Sequence, residues 1–512
     1  MLFYSNIFSL MNWKRDGVNP VSGMYILNIP LAGISANQLQ GPDLDLALRF
    51  NQFNANDYGF GTGWELSLAR IDEDPNPDDV SSPLRTLVLS DGSRYRMNTE
   101  ASGAVSLKYK KTNTFTFKQE TDGNYTITHI DGHIETISSG RTTCITTPNK
   151  KHLYIKWNSD NTFTVSDDNA TVLLSSSMTQ TRNSREHLVT SQRGKFAFIL
   201  QGPQPYQLRA IDIPDTGKPF LYTFSYIRHN TNYFLIKNWK SLINYFQEQT
   251  IEYTTLPAPS GLQAAISAVS AVFITRTTLF VSPKKTVDIR YEYPDRNYLG
   301  YPDVTTWVDS TDNLENLPES YSYMVIETVG NKDTPAKTVT YTYNKFYLLS
   351  KELPQEKSSK RICFTTFSYQ LEYSAGIDGQ SPSFMLPVRT DTKSVTETGS
   401  NKVYTNFYTT SKYDDYSNLI NFRNVDGMSE WYVYYPAAGE TAEDGTVLCP
   451  PDPNGFIRFL KSTTRSSKTA PDELPQKIWQ YTYAKSTDTD LIQNTNEQFF
   501  LKTKTHHPAS VH

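Results

Sequence analysis

The chain has 512 residues, a net charge of −4 at pH 7, 38% hydrophobic residues and 13% aromatic residues, including 33 Tyr. A mean hydropathy of −0.52 is low for a chain long enough to bury a large core, yet the aromatic content argues against disorder. No basic run marks a nucleic-acid partner, and no apolar run approaches the roughly 20 residues of a membrane-spanning helix. Tyrosine and threonine favour pleated, half-buried surfaces, so the composition predicts extensive sheet with much wet surface. Cys144, Cys363 and Cys449 lie too far apart for a local metal motif, and an odd count does not read as a disulfide framework. Residues 1–10 lack the basic start and small-residue cleavage site of a secretory signal.

In chain order, the first informative stretch is Gly17 to Ile71. Met24 to Ile29 has strand composition, Gly41-Pro42 punctuates, and Leu44, Leu46, Leu48 and Phe50 follow at period two. In Tyr58-Gly59-Phe60-Gly61-Thr62-Gly63-Trp64, three glycines alternate with bulkier residues, which predicts a bulge or a close backbone approach. Residues 80–200 alternate repeatedly. Asp91-Gly92 predicts a hairpin with a two-residue type I′ turn, and Asp-Gly recurs at Asp122, Asp131, Asp378, Asp426 and Asp444. A two-residue loop at Asp131-Gly132 pairs His129 with Ile134 and Ile127 with Thr136. Neither face is then cleanly apolar, which predicts a sheet wet on both sides.

Residues 259–275 place Leu262, Ala265, Ile266, Val269, Val272 and Phe273 at helical spacing, and fit either a helix or a loop running into a strand. Farther on, Tyr291-x-Tyr293, Tyr321-x-Tyr323, Tyr341-x-Tyr343 and Tyr481-x-Tyr483 each place two rings on one sheet face, which predicts aromatic ladders between strands. In Tyr413-Asp414-Asp415-Tyr416-Ser417-Asn418-Leu419, Asp415 and Asn418 are read as turn formers between strands.

Several of these elements resemble the RHS/YD-repeat proteins, in particular the long bacterial ones related to toxin-complex shell subunits. They are Gly17-Val18-Asn19-Pro20, Gly23-Met24-Tyr25, Ile29-Pro30-Leu31, Gly41-Pro42, Leu46-Ala47-Leu48, Gly59 to Trp64 and Asp91-Gly92. Tyr413 to Leu419 matches the YD signature, and Cys449 to Lys461 looks like a segment of the same family. The resemblance implies an all-β fold: an extended spiralling antiparallel sheet of RHS/YD-repeat type, part of a hollow shell. It divides the chain into an N-terminal tail (1–16), an N-terminal RHS-like region (17–200), a YD-repeat-like shell region (201–483) and a C-terminal tail (484–512). It favours the β reading of residues 259–275. It further implies a non-catalytic protein, secreted or at the cell surface without a conventional signal peptide and cytoplasmic before export, that encapsulates and helps deliver a toxin or effector. The expected partner is a second RHS-type chain or a C-terminal toxin domain. The self-cleaving aspartate pair of the family has no counterpart before His512, so no protease residues are carried over. The competing reading is a stand-alone protein that binds cell-surface carbohydrate through exposed tyrosine and tryptophan rings.

The sequence shows no catalytic, cofactor-binding or metal-binding constellation, and no cofactor is expected. Asp72, Glu73, Asp74, Asp78 and Asp79 crowd one stretch without the ligand order of an EF-hand and read as a solvated acidic loop. Asp309, Asp312 and Glu315 read the same way. The predicted register puts His129 and His133 on opposite faces and so disfavours a zinc site. His506-His507 reads as terminal. No Gly-x-Ser-x-Gly, P-loop or His-Glu-x-x-His motif is present.

Overall fold

The computed structural model describes residues 5, 7 and 16–508, apart from 53, 77–78, 80–81, 100–102, 193, 214–220, 230–232, 243–246, 256–271, 283–284, 309–310, 331–334, 357–360, 399–400, 467–474 and 488–496. Among the described residues its elements are 36 strands and three short 3-10 helices, so the all-β expectation holds. Most of the segment weighed as a helix lies outside the described residues, and its end, from Val272 on, belongs to the strand Val272–Ser282.

The first four strands form a sheet of their own in the order β1 (Gly17–Asn19), β2 (Met24–Ser35), β3 (Asp43–Asn51) and β4 (Trp64–Leu66), all antiparallel. Pro30 lacks an N–H for the ladder, and the β2–β3 register shifts between Pro30 and Ala32. The alternation read from Leu44 to Phe50 is observed: Leu44, Leu46, Leu48 and Phe50 are all buried. Strand β2 is buried on both faces. Tyr25, Leu27 and Ile29 join one apolar cluster with Phe198, Leu208 and Ile236, while Met24 and Ile26 join another with Phe273, Tyr298 and Tyr323.

The second sheet begins with β5 (Arg70–Asp74), β6 (Leu84–Val88), β7 (Arg94–Thr99), β8 (Val105–Leu107), β9 (Phe115–Gln119), β10 (Tyr125–His129), β11 (Ile134–Ser138) and β12 (Arg141–Thr146). Strand β5 pairs with β6 and, at Arg70, with Arg141 of β12, which closes these strands into a ring. Leu87, Tyr95, Phe115, Ile127 and Ile137 fill it. From β12 the sheet continues antiparallel to Glu497–Pro508, mostly with each strand paired to the next in sequence. The hairpin of Glu440–Thr441 and Val447–Cys449 stands apart, so Ser429–Tyr434 pairs with Leu460–Ser466.

Residue 200 lies inside the strand Gly194–Gln201, and residues 484–512 hold the end of Pro475–Thr487 and the whole of Glu497–Pro508. In the expected N-terminal tail, Ile7 is fully buried and the Ser5 hydroxyl lies 3.0 Å from the Tyr347 hydroxyl.

The glycine-rich loop before β4 joins the two sheets. Gly59, Gly61 and Gly63 all have φ near +90°. A Cβ on Gly61 would stand 3.0 Å from Leu208 N and Tyr206 O, so the close backbone approach is real. Asp57 Oδ1 accepts from the N–H groups of Gly59 and Gly61, Phe60 stacks on His187 at 4.5 Å, and Trp64 Nε1 donates to the Tyr226 hydroxyl at 2.9 Å. Beside the loop, Glu65 Oε2 accepts from Arg70 at 2.7 Å and Arg94 at 3.0 Å, and its other oxygen lies 3.9 Å from Arg49. Burial would push the Glu65 carboxyl up, but the three guanidinium groups hold it below its ordinary value.

The Asp-Gly turns differ from expectation in one consistent way. At Asp91, Asp122, Asp131, Asp426 and Asp444 only the glycine has positive φ, and the loop contains three residues instead of two. At four of them the aspartate Oδ1 accepts from the N–H two residues on, which holds the aspartate right-handed and leaves the left-handed position to glycine alone. Asp378-Gly379 is not a hairpin turn and lies in the 3-10 helix Ile377–Gly379.

Candidate functional site

The carboxylate clusters are structural. Asp72 is buried and not solvated: it accepts from Arg70 Nε at 2.7 Å, Arg94 Nη1 at 3.3 Å and the Tyr58 hydroxyl at 2.6 Å. Burial opposes its charge, and the two arginines outweigh that and hold its pKa below the ordinary value. Glu73 pairs with Arg85 at the surface, and Asp78 lies outside the described residues. Asp312 is also buried. It caps the 3-10 helix Asn313–Asn316 through Leu314 N and accepts from the Tyr347 hydroxyl at 2.6 Å. Glu315 accepts from the Tyr109 hydroxyl at 3.2 Å, and Asp309 lies outside the described residues. Both clusters read as solvated because sequence neighbours alone do not reveal the arginines and tyrosines that distant strands supply.

The histidine hairpin is corrected by its register. With three loop residues, Tyr125 pairs with Ile137, Ile127 with Glu135 and Thr128 with Ile134, and the His129 N–H donates to His133 O. This one-residue slip moves every side chain of β11 to the other face. Tyr125, Ile127, Glu135 and Ile137 form a dry face, and Thr126, Thr128, Ile134 and Thr136 form a half-buried one. The wet-on-both-faces reading fails for this hairpin, and His129 and His133 lie on the same face, stacked at 3.9 Å. The side chains of His506 and His507 lie outside what the structure describes.

A sheet open on both faces occurs later in the chain. Consecutive strand residues point to opposite faces. In Asn401–Tyr413, Val403 is 54% exposed and Tyr404 is 69% exposed, so both faces of the sheet are open at this point. The adjoining strands Leu419–Arg423 and Ser429–Tyr434 are half-buried almost throughout. Charge and aromatic surface are interleaved across this wall. Arg389 pairs with Asp391 at 2.7 Å and lies 4.2 Å above the Tyr408 ring, and Lys351 and Lys393 approach the Phe364 ring.

Four of the paired tyrosines, Tyr291, Tyr321, Tyr323 and Tyr343, are buried. Tyr323 stands opposite Tyr343 in register and stacks on it at 5.2 Å, so the predicted ladder is present there. These two rings, with Tyr291 and Tyr321, are buried and serve as core. Burial raises the Tyr323 phenol far above its ordinary pKa, and its hydroxyl donates to Val21 O at 2.9 Å. Of the cysteines, all three are free; burial pushes the Cys449 thiol up to about 11, which keeps it protonated and unreactive at neutral pH.

The Tyr413 to Leu419 turn reveals a repeat that spacing concealed. Asp414 Oδ1, not Asp415, organises it by accepting from Tyr416 N at 2.9 Å and Asn418 N at 2.8 Å, with Ser417 left-handed at φ 66°. Asp167, Asn344, Asn424 and Asp452 make the same two bonds, to the residues two and four places on. The fourth residues of these loops, Ala170, Tyr347, Gly427 and Gly455, are left-handed in turn. The searchable signal is Asp or Asn followed five residues later by a strand start, as at Val172, Leu349, Leu419 and Ser429.

No family model and no curated protein matches the sequence. Among solved structures, the chain is similar to the Photorhabdus luminescens Tc holotoxin pore at 9% identity and a TM-score of 0.31, over 80% of this chain and 23% of that one. TcdB2-TccC3 without its hypervariable C-terminal region is similar at 9% identity and a TM-score of 0.26, over 88% of this chain and 21% of that one. The N-terminal domain of effector protein SpvB from Salmonella typhimurium matches at 10% identity and a TM-score of 0.13, over 68% of this chain and 94% of that one. The chain thus spans between a fifth and a quarter of the toxin-complex chains it matches.

Proposed function

We propose that this chain is a non-catalytic RHS-type shell protein, or the amino-terminal part of one, that encloses a toxin or effector polypeptide and helps deliver it. The observation that carries this reading is the single antiparallel sheet from Arg70 to Pro508, whose faces are both open at Val403 and Tyr404. A wall with a polar, aromatic-studded surface on each side suits an unfolded or partly folded guest on one side and solvent on the other. The partner is a second RHS-type chain or a toxin domain. Export without a conventional signal peptide belongs to the same proposal.

The test is to isolate the protein from its native host by size exclusion and to weigh its companions by denaturing mass spectrometry. Co-elution with a second RHS-type chain, or with a small toxic domain protected from added protease, is the expected result. A lone, protease-resistant species of 58.3 kDa would overturn the shell reading. Glycan affinity in that species would then identify a carbohydrate-binding module, with exposed rings such as Tyr404 as the contact.

A further inference from the structure

The three-residue loop at Asp131 assembles a group that neither the fold nor the shell proposal uses. His129 and His133 face each other across the hairpin with ring centroids 3.9 Å apart and planes 12° from parallel. His129 Nε2 lies 2.8 Å from Glu135 Oε1. Among the described residues, these three form the one group of histidine, cysteine or carboxylate side chains whose ligand atoms all lie within 4.8 Å of one another. Glu135 is only 3% exposed, and its second oxygen, Oε2, has no hydrogen-bond partner. A buried carboxylate oxygen without a donor is a costly arrangement that a cation relieves. Glu135, His133 and Asp131 line a cavity of about 670 Å³ that also reaches β3 of the first sheet at Asp43, Asp45 and Arg49. Asp131 Oδ1 lies 2.5 Å from His133 Nδ1, which leaves the other imidazole nitrogen of His133 as its ligand atom.

We propose that His129, His133 and Glu135 bind one zinc-class divalent cation at the wall of this cavity. Two imidazoles and one carboxylate are the donor set of a borderline ion; calcium and magnesium favour all-oxygen sites. Three protein ligands leave one coordination position, which faces the cavity. Zinc–nitrogen and zinc–oxygen distances are about 2.0–2.2 Å. The ion takes the place of the His129 Nε2 proton, which passes to solvent, and binds the Glu135 carboxylate through the oxygen that lacks a donor, Oε2. Parallel rings cannot both aim a lone pair at one ion, so His133 turns out of the stack as the ion binds. It is the freer of the two rings, with a third of its side chain exposed against 19% for His129. The bound ion pins the end of the β10–β11 hairpin.

The test uses the full chain after chelator stripping. Zinc is titrated against a chromophoric chelator, and cobalt is added separately to read its ligand-field absorption. One tight equivalent is expected, unaffected by millimolar magnesium. His133→Ala and Glu135→Gln should each weaken binding at least tenfold, while His152→Ala, which alters a histidine paired with Asp168 elsewhere in the sheet, should not. A second readout needs no variant: zinc should protect His129 and His133 of the wild-type chain from diethyl pyrocarbonate. The proposal is overturned if no zinc binds at micromolar concentration, if a folded His133→Ala binds as the wild type does, or if zinc protects other histidines and not these two.

Discussion

At the scale of single residues, the glycine loop and the Glu65 cluster hold the two sheets together, and each supports a prediction. Gly61 combines φ +90° with backbone atoms 3.0 Å from any added Cβ, and those atoms, Leu208 N and Tyr206 O, lie at the start of the strand Gln207–Asp212 and cannot yield as a flexible side chain would. Gly61→Ala should therefore lower stability by about 2 kcal/mol or more, read from the denaturant midpoint. Glu65→Gln leaves the buried Arg49 and Arg70 and the half-buried Arg94 beside a neutral group, and should lose about 3 kcal/mol at pH 7. Because the Glu65 carboxyl is depressed in the fold, its contribution is present above the ordinary carboxylate pKa and disappears as pH falls through the folded value. The gap between the wild type and Glu65→Gln should accordingly close in acid, as urea melts over a pH series would show; a gap that stays constant would mean that charge is not the cause.

At the scale of elements, turn chemistry sets register, and register sets which side chains meet. The loops that open at Asp167, Asn344, Asp414, Asn424 and Asp452 share one design: the opening residue's side-chain oxygen accepts from the N–H groups two and four places on, while the residue three places on takes the left-handed position. Asp414→Ala should cost about 1 kcal/mol, with faster amide exchange at Tyr416 and Asn418, whereas Asp414→Asn should be close to neutral because its amide oxygen accepts the same bonds. The Asp-Gly loops show how small a difference matters. One extra loop residue at Asp131 puts His129, His133 and Glu135 on the same face and gives the hairpin a dry side.

At the scale of the whole molecule, the sheet changes character along its length. Strands such as Gly194–Gln201 and Phe234–Ser241 carry buried Phe198, Leu200, Phe234 and Ile236, whereas Asn401–Tyr413 is open on both faces. Amide exchange should therefore be slowest in 196–211 and 234–241 and faster by orders of magnitude in 401–423, as measured by mass spectrometry. Protection of 401–423 on addition of the co-isolated partner would locate the guest-facing wall; uniform protection in the free chain would contradict the gradient.

Local chemistry within a few residues is what could be read along this chain before any fold was known. Period-two alternation at Leu44, Leu46, Leu48 and Phe50 marks a buried strand face, alternating glycines before Trp64 mark a close approach, and tyrosines two apart share one face. These follow from bond geometry within a few residues and need no partner. Tertiary structure decided the phase and the environment. A two-residue and a three-residue Asp-Gly loop look alike in sequence, yet they place His133 on opposite faces. Asp72 and Asp312 resemble solvated acids until Arg94 and Tyr347 arrive from other strands. Val403 and Tyr404 differ little in composition from the buried residues of earlier strands; only the absence of a covering layer among the described residues leaves them open. Alternation fixes which side chains share a face, but the solvent or protein beyond that face is supplied by residues tens to hundreds of positions away.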